Sequence, residues 1–243
     1  FEEIDPSIID QAKVFHFGTL SLTDEPARSA TQKCVAYAKQ AGKLITYDPN
    51  LRKPLWADLE EAKKQLIWGL GQADVVKISD EEVEFLFGLG VQEGAKYILE
   101  NFGVKLVFVT CGADGCFFKN AVAEGHVPSL SGIKVIDTTG AGDIFGGSAV
   151  SRLLDLNKPI GELTRENLHF IGSFASTAAK LCPAQCNALF GELCRKGTVG
   201  TWYIRGYFAA VRSRGCSSPL RNVCPHSLYS SLLCRWDNSR NKS

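Results

Sequence analysis

The chain has 243 residues, 45% of them hydrophobic and 22% charged, with a formal net charge of +1. That is the composition of a soluble globular protein with one domain or two small ones. It excludes a polyelectrolyte tail or a repeat array, and no apolar run reaches the eighteen or so residues of a membrane span. The start, FEEIDPSIID, lacks a basic segment followed by an apolar core, so no signal peptide is read there.

Strand and helix signals then alternate. Val14 to Phe17 is a short buried-strand run. Thr23-Asp24-Glu25-Pro26 supplies capping residues and an early proline for a helix to about Gln40, which Gly42 stops. Leu44 to Tyr47 is the next strand and runs into the loop DPNLRKPLW. Residues 58–70 read as a helix with Leu59, Ala62, Leu66 and Ile67 on its apolar face. Val75 to Ile78 is a strand, Ser79 to Phe87 a helix, and a further helix falls near 93–101. Leu106 to Val109 is a strand, followed by the turn TCGADG and the hairpin-like CFFKN. Val135-Ile136-Asp137 leads into DTTGAGD and a helix to about Asp155, and Glu166 to Leu181 forms the last amphipathic helix. This alternation predicts a doubly wound parallel α/β sheet, whose ligands sit at the carboxyl ends of its strands.

The pattern fails after Cys182. From Ala184 onward nine Lys/Arg face two Asp/Glu, a local net of +7, against 18 basic and 24 acidic residues before it. Six of the nine cysteines lie between Cys182 and Cys234. We therefore expect a core over residues 1–182 and an atypical Cys/Arg/Ser-rich tail over 183–243, non-native or without fixed structure, of the kind a shifted reading frame produces. Two functional readings compete for the tail. Cys182/Cys186, Cys216/Cys224 and His226 offer zinc ligands, but no CxxC pair occurs. A nucleic-acid arm would need clustered rather than dispersed charge, so no nucleic-acid partner is expected. The few isolated thiols of the core suit a cytoplasmic location.

Chemistry concentrates in four segments. In DTTGAGD, Gly140, Ala141 and Gly142 leave backbone N–H groups open at a helix N-terminus, where donors and dipole favour an anion. Asp143 lies inside that positive region, which should keep it ionised near neutral pH; it could take a hydroxyl proton while the amides hold a moving phosphoryl group. The plainer reading is a glycine-rich turn with a first-turn Asp that complements the dipole. A dinucleotide fingerprint fails because Phe145 stands where a third glycine is needed, and no GxxxxGK[ST] P-loop is present.

In KISDEEVEFLFG, Ser79 and Glu82 form a capping box, or Glu82 holds Mg²⁺ through water. Thr110, Gly112 and Gly115 of TCGADG let the backbone pass close to a nucleotide, although a lone turn is a weak signal. Asp48, Asn50 and Arg52 alternate on a loop at a strand's carboxyl end, where Arg52 could clamp a phosphate or sugar oxygens; a solvated loop is the alternative.

In this order, VFHFGTLSL, YDPNLRKPLW, ADVVKISDEEVEFL, VTCGADGC and DTTGAGDIF resemble the ribokinase-like (pfkB-type) carbohydrate kinases, fructokinases most of all, over about residues 1–182. The resemblance implies ATP-dependent phosphorylation of a sugar hydroxyl, fructose to fructose 6-phosphate first, with ribose or 2-keto-3-deoxygluconate as other acceptors. It makes Asp143 the base and the Gly140–Gly142 amides the anion hole. Glu82 matches the family's metal-linked glutamate, and Ser79 falls where the family often has asparagine. Thr110 to Gly115 would flank ATP, with Ser176 near the adenine. Asp137 and Thr139 match positions that bind a monovalent cation, K⁺ among them, in relatives. Asp48, Asn50 and Arg52 would lie near sugar and phosphate. Sugar and ATP are then the partners, with a homodimer expected of the intact parent. The family's N-terminal Gly-Gly segment and lid have no counterpart here, and LCPAQCNALF replaces a TRKGA-like continuation. The first strands of the fold are therefore expected to be absent, the true N-terminus is expected to lie before Phe1, and an inactive truncated relic is the non-enzymatic alternative.

Overall fold

The computed structural model describes residues 3–132 and 140–184, with the side chains of 182–184 excepted. After a one-turn helix α1 (Pro6–Asp10), β1 (Val14–Gly18) leads through α2 (Ala27–Gln40) to β2 (Leu44–Asp48). Next come α3 (Leu59–Leu70), β3 (Val75–Ser79), α4 (Asp80–Phe87), α5 (Val91–Phe102) and β4 (Leu106–Thr110). A hairpin of β5 (Cys116–Asn120) and β6 (Glu124–Val127) precedes α6 (Ala141–Leu156) and α7 (Arg165–Ala184).

The six strands form one sheet in chain order. β1 to β4 are parallel, with Val14 opposite Leu44, Thr46 opposite Val75 and Val75 opposite Leu106. β5 and β6 run antiparallel, as the hairpin-like reading of CFFKN anticipated for β5, while β6 was not read from the sequence. Five residues between β4 and β5 are too few for a crossover, so the chain must turn back. Gly115 makes that turn at φ 101°, and a Cβ there would stand 2.0 Å from the Val127 carbonyl oxygen. Only glycine fits.

Parallel strands connected in sequence by right-handed crossovers carry their helices on one face. Accordingly Cys34, Val35 and Ala38 of α2, Leu70 of α3, Val83 of α4 and Ala95 and Ile98 of α5 pack on Phe15, Phe17, Ile45, Tyr47, Val76, Ile78, Val107 and Val109. The opposite face, with Leu106, Phe108, Cys116 and Phe118, is covered by Phe145, Ala149 and Leu153 of α6 and by Leu168, Ile171 and Ala175 of α7. Burial on both faces is why these strands read as near-continuous apolar runs.

One boundary and one helix face differ from the sequence reading. α2 starts at Ala27, because Thr23–Pro26 form a turn in which the Thr23 hydroxyl donates to the Leu20 carbonyl at 2.9 Å. In α3 the buried stripe is Ala62, Leu66, Gly69 and Leu70, whereas Leu59 and Ile67 stay 41% and 40% exposed. The helix is seated by Gly69, whose missing Cβ leaves room for the Tyr47 ring; a Cβ would lie 2.3 Å from it. The tail from residue 185 onward lies outside the described residues.

Candidate active site

Alternation along a strand sends every second residue to the α6 face. Toward the carboxyl ends those residues are His16, Thr46, Asp48 and Lys77, polar side chains in otherwise apolar strands. Lys77 Nζ donates to both oxygens of Asp48, at 3.2 and 3.0 Å. The two side chains are only 12% and 6% exposed, so this is a nearly desolvated pair. Burial pulls the Lys77 pKa down, but Asp48, Glu82 and Asp143 outweigh it and the net shift is upward. The ammonium keeps its charge. His16 bonds Thr46 Oγ1 through Nδ1 at 2.9 Å. Burial, and secondarily the Lys77 charge, pushes its pKa down to about 4, so its ring is neutral near pH 7.

The loop after β2 is tied at both flanks. The Pro49 carbonyl accepts from the Thr19 backbone at 3.3 Å and from the Thr19 hydroxyl. The Leu51 N–H donates to Glu82 Oε1 at 2.7 Å. Between these ties Asn50 adopts φ 44°, a left-handed conformation that asparagine tolerates better than most residues. Arg52 is exposed and opens the 3₁₀ turn Lys53–Leu55.

Ser79 and Glu82 do form the capping box. Ser79 Oγ accepts from the Glu82 N–H at 3.2 Å, and Glu82 Oε2 accepts from the Ser79 N–H at 2.9 Å. Both carboxylate oxygens of Glu82 therefore already hold backbone donors, one from its own turn and one from the Asp48–Arg52 loop. Among the described residues no group of three or more His, Cys, Asp or Glu side chains is placed to hold a metal ion.

α6 begins differently. Gly140 is its N-cap at φ 80°, and no side chain caps the turn. Ala141, Gly142 and Asp143 form the first turn, whose N–H groups have no partner within the helix. A Cβ on Gly142 would lie 2.8 Å from Lys77 Nζ, so the ammonium rests against this turn. Burial first and the Asp48 carboxylate second raise the Asp143 pKa, while Lys77 and Arg52 pull it back. The upward direction departs from the lowering that a helix N-terminus alone supplies, because desolvation and a like charge win.

Thr110, at the end of β4, donates its hydroxyl to the Ile78 carbonyl at 3.4 Å. Gly112 follows at φ 53°, with open space where a Cβ would stand. Ser176 of α7 is buried and donates to Cys116 Sγ at 3.8 Å, directly beyond the Thr110–Gly115 turn. The structure thus gathers Asp48, Lys77, Arg52 and Asp143 into one electrostatic group at the α6 N-terminus. Thr110, Gly112, Gly115 and Ser176 gather around the β4–β5 turn. Asp137 and Thr139 lie outside the described residues. Lys77 and His16 were missed from sequence; the available signal was a single polar residue inside an otherwise apolar strand, VVKIS or VFHFG.

A mostly parallel α/β sheet with a helix N-terminus set beside a carboxylate and an ammonium defines the class of this fold. Comparison with known proteins narrows the class. The pfkB family carbohydrate kinase model matches residues 2–187, and the chain belongs to that family. It is 44% identical over 156 residues to fructokinase-2 of Solanum lycopersicum, a match covering 63% of this chain and 47% of that protein. Fructokinase from Vibrio cholerae O395, solved with fructose, ADP and calcium, superimposes with a TM-score of 0.65 at 31% identity, over 74% of this chain and 57% of that one. Aminoimidazole riboside kinase from Salmonella enterica, solved with aminoimidazole riboside and an ATP analog, gives 0.63 at 29% identity over 72% and 58%. The chain spans about half the length of most of the curated relatives it matches. Among the described residues no helix is long and apolar enough to cross a membrane.

Proposed function

We propose that this protein phosphorylates a sugar hydroxyl with ATP, with fructose as the acceptor and fructose 6-phosphate as the product. The observation that carries the reading is Asp143 in the first turn of an uncapped helix whose backbone lies against the Lys77 ammonium. The fructokinases among the relatives supply the sugar.

Asp143 accepts the proton of the attacking hydroxyl as its oxygen bonds to the γ-phosphorus. The bond from that phosphorus to the β–γ bridging oxygen breaks, and ADP leaves. Its raised pKa suits the task, since a base works best with a pKa closer to the operating pH than an ordinary carboxylate offers. The Ala141 and Gly142 N–H groups face the charge that spreads over the equatorial oxygens. Arg52 stands where it offers planar donors to a phosphate or to sugar oxygens. The turn around Gly112 and Gly115, with Ser176 behind it, forms the floor beside which the nucleotide lies.

Mg²⁺ suits this set only as a companion of the nucleotide. It keeps several waters and binds mainly through phosphates; beside the base Asp143, the described carboxylates Asp48 and Glu82 are already engaged by Lys77 and by backbone donors. When bound, it neutralises phosphate charge.

The test is ADP release from ATP with fructose, ribose or 2-keto-3-deoxygluconate, for the wild type and Asp143→Asn. Fructose should stimulate ADP formation most, and the substitution should lower the rate by about 10²–10⁴-fold. Full activity in the variant would remove Asp143 as base. Absence of sugar-stimulated turnover in the wild type would remove the kinase reading.

A further inference from the structure

We propose that Lys77 contacts the phosphoryl group that is transferred, and that Asp48 is the tether that holds its ammonium beside the α6 N-terminus until the phosphoryl group arrives. The proposal rests on the kinase reading and adds to it a residue and an order of events.

Its starting point is an electrostatic mismatch. A helix N-terminus carries a partial positive charge and stabilises anions. Here a lysine ammonium lies against that same turn, close enough that a methyl group on Gly142 would meet Nζ at 2.8 Å and Cε at 3.6 Å. Positive placed on positive is unfavourable unless negative charge sits with them. In this structure the negative charge comes from Asp48, through both carboxylate oxygens, and from the neighbouring Asp143. A phosphoryl group brings more of it, on oxygens that reach the helix N–H groups and the ammonium together.

The burial points the same way. Lysine is rarely this enclosed unless paired, and β3 is otherwise apolar at Val75, Val76 and Ile78. An ion pair serving the fold alone has no need of a place beside a helix start that no side chain caps. An ammonium also has three N–H donors in rotatable positions. Asp48 occupies at most two of them, and rotation about the last side-chain bonds redirects the rest without moving β3. Arg52 is exposed on its loop, so Lys77 is the enclosed cation of the group.

The contact has a signature that a structural pair lacks. ATP carries the transferred phosphoryl group and ADP does not. ATP and ADP, each with Mg²⁺, are titrated calorimetrically into the whole chain, as wild type, Lys77→Met, Asp48→Asn and the double variant Asp48→Asn/Lys77→Gln. Loss of a charge-assisted bond to the terminal phosphate should weaken ATP by about 10-fold or more, with ADP changed far less. Lys77→Met leaves Asp48 enclosed without its partner, which can unfold the chain. The double variant removes both charges and should show the same selective loss of ATP. Asp48→Asn frees the ammonium and should tighten ATP. Equal weakening of ATP and ADP, or no weakening, in the folded variants would overturn the contact; ATP affinity unchanged in Asp48→Asn would overturn the tether. A wild type that binds neither nucleotide would sink the kinase reading first, and the proposal with it.

Discussion

The helices α4 and α6 start in opposite ways. α4 is closed on itself: Ser79 and Glu82 satisfy one another's backbone donors, and Asp80, Glu81 and Glu82 put three acidic side chains in its first turn. α6 opens with a left-handed glycine, no capping side chain and a single first-turn carboxylate. An N-cap side chain is worth about 1 kcal/mol, and the same chain provides one at α4 and none at α6. The α4 terminus is spent on structure. Through the Leu51 N–H, Glu82 also fixes the loop that carries Asn50 and Arg52, so its duty extends to the far side of the site. At the α6 terminus no capping side chain takes up the first-turn donors.

Of the two capping partners at the closed terminus, the carboxylate should matter more for stability. Glu82→Ala orphans the N–H groups of Ser79 and Leu51 together, and losing two such partners should cost about 2–4 kcal/mol. The urea midpoint should fall with an unchanged m-value. Glu82→Gln, which keeps one good acceptor, should recover part of the loss. If Glu82→Ala cost nothing, the contrast between the two termini would have no energetic content. Ser79→Ala removes a single acceptor and should cost about 1 kcal/mol in the same assay. Equal losses from Ser79→Ala and Glu82→Ala would mean that the tie to Leu51 adds nothing.

Most of the fold was legible because parallel strands buried on both faces leave continuous apolar runs such as LITY and LVFV, and because capping residues and glycines bracket the helices. The antiparallel hairpin was half legible. CFFKN stood out, but β6 (EGHV) has one buried position and too little apolar pattern to announce itself. The α3 face was half right: Ala62 and Leu66 are buried as expected, whereas periodicity also favoured Leu59 and Ile67, and the close approach of Gly69 to Tyr47 turns those two toward solvent. At the site, glycines and carboxylates in DTTGAGD and DPNLR were visible through their loop chemistry. Lys77 was not, because a lysine inside a strand reads as an outward-facing residue until the sheet is assembled and Asp48 is found beside it. The dual reading of Glu82 could not be divided from sequence at all. The Leu51 tie spans 31 residues and exists only in three dimensions.

The smallest expected effect carries a sign that separates the termini most sharply. At α4 the first-turn acids sit where the dipole welcomes them and where solvent and capping donors are at hand. At α6, burial and the Asp48 charge raise the Asp143 pKa above its ordinary 3.8, against the pull of Lys77 and Arg52. A carboxyl whose pKa is higher folded than unfolded binds its proton more tightly in the folded state. Stability is then lost as pH rises from the unfolded value through the folded one, and the loss persists above it. Asp143→Asn should therefore melt slightly higher than the wild type near pH 7, and the advantage should vanish as the pH falls below 3.8, where the Asp143 carboxyl is protonated in the folded and unfolded states alike. A lower melting temperature for the variant at neutral pH would show that Asp143 stabilises its helix as an ordinary first-turn acid does. A higher one, alongside a collapse of turnover, would mean that the α6 terminus holds its carboxylate at a cost in stability, as expected of a group placed for chemistry rather than for the fold.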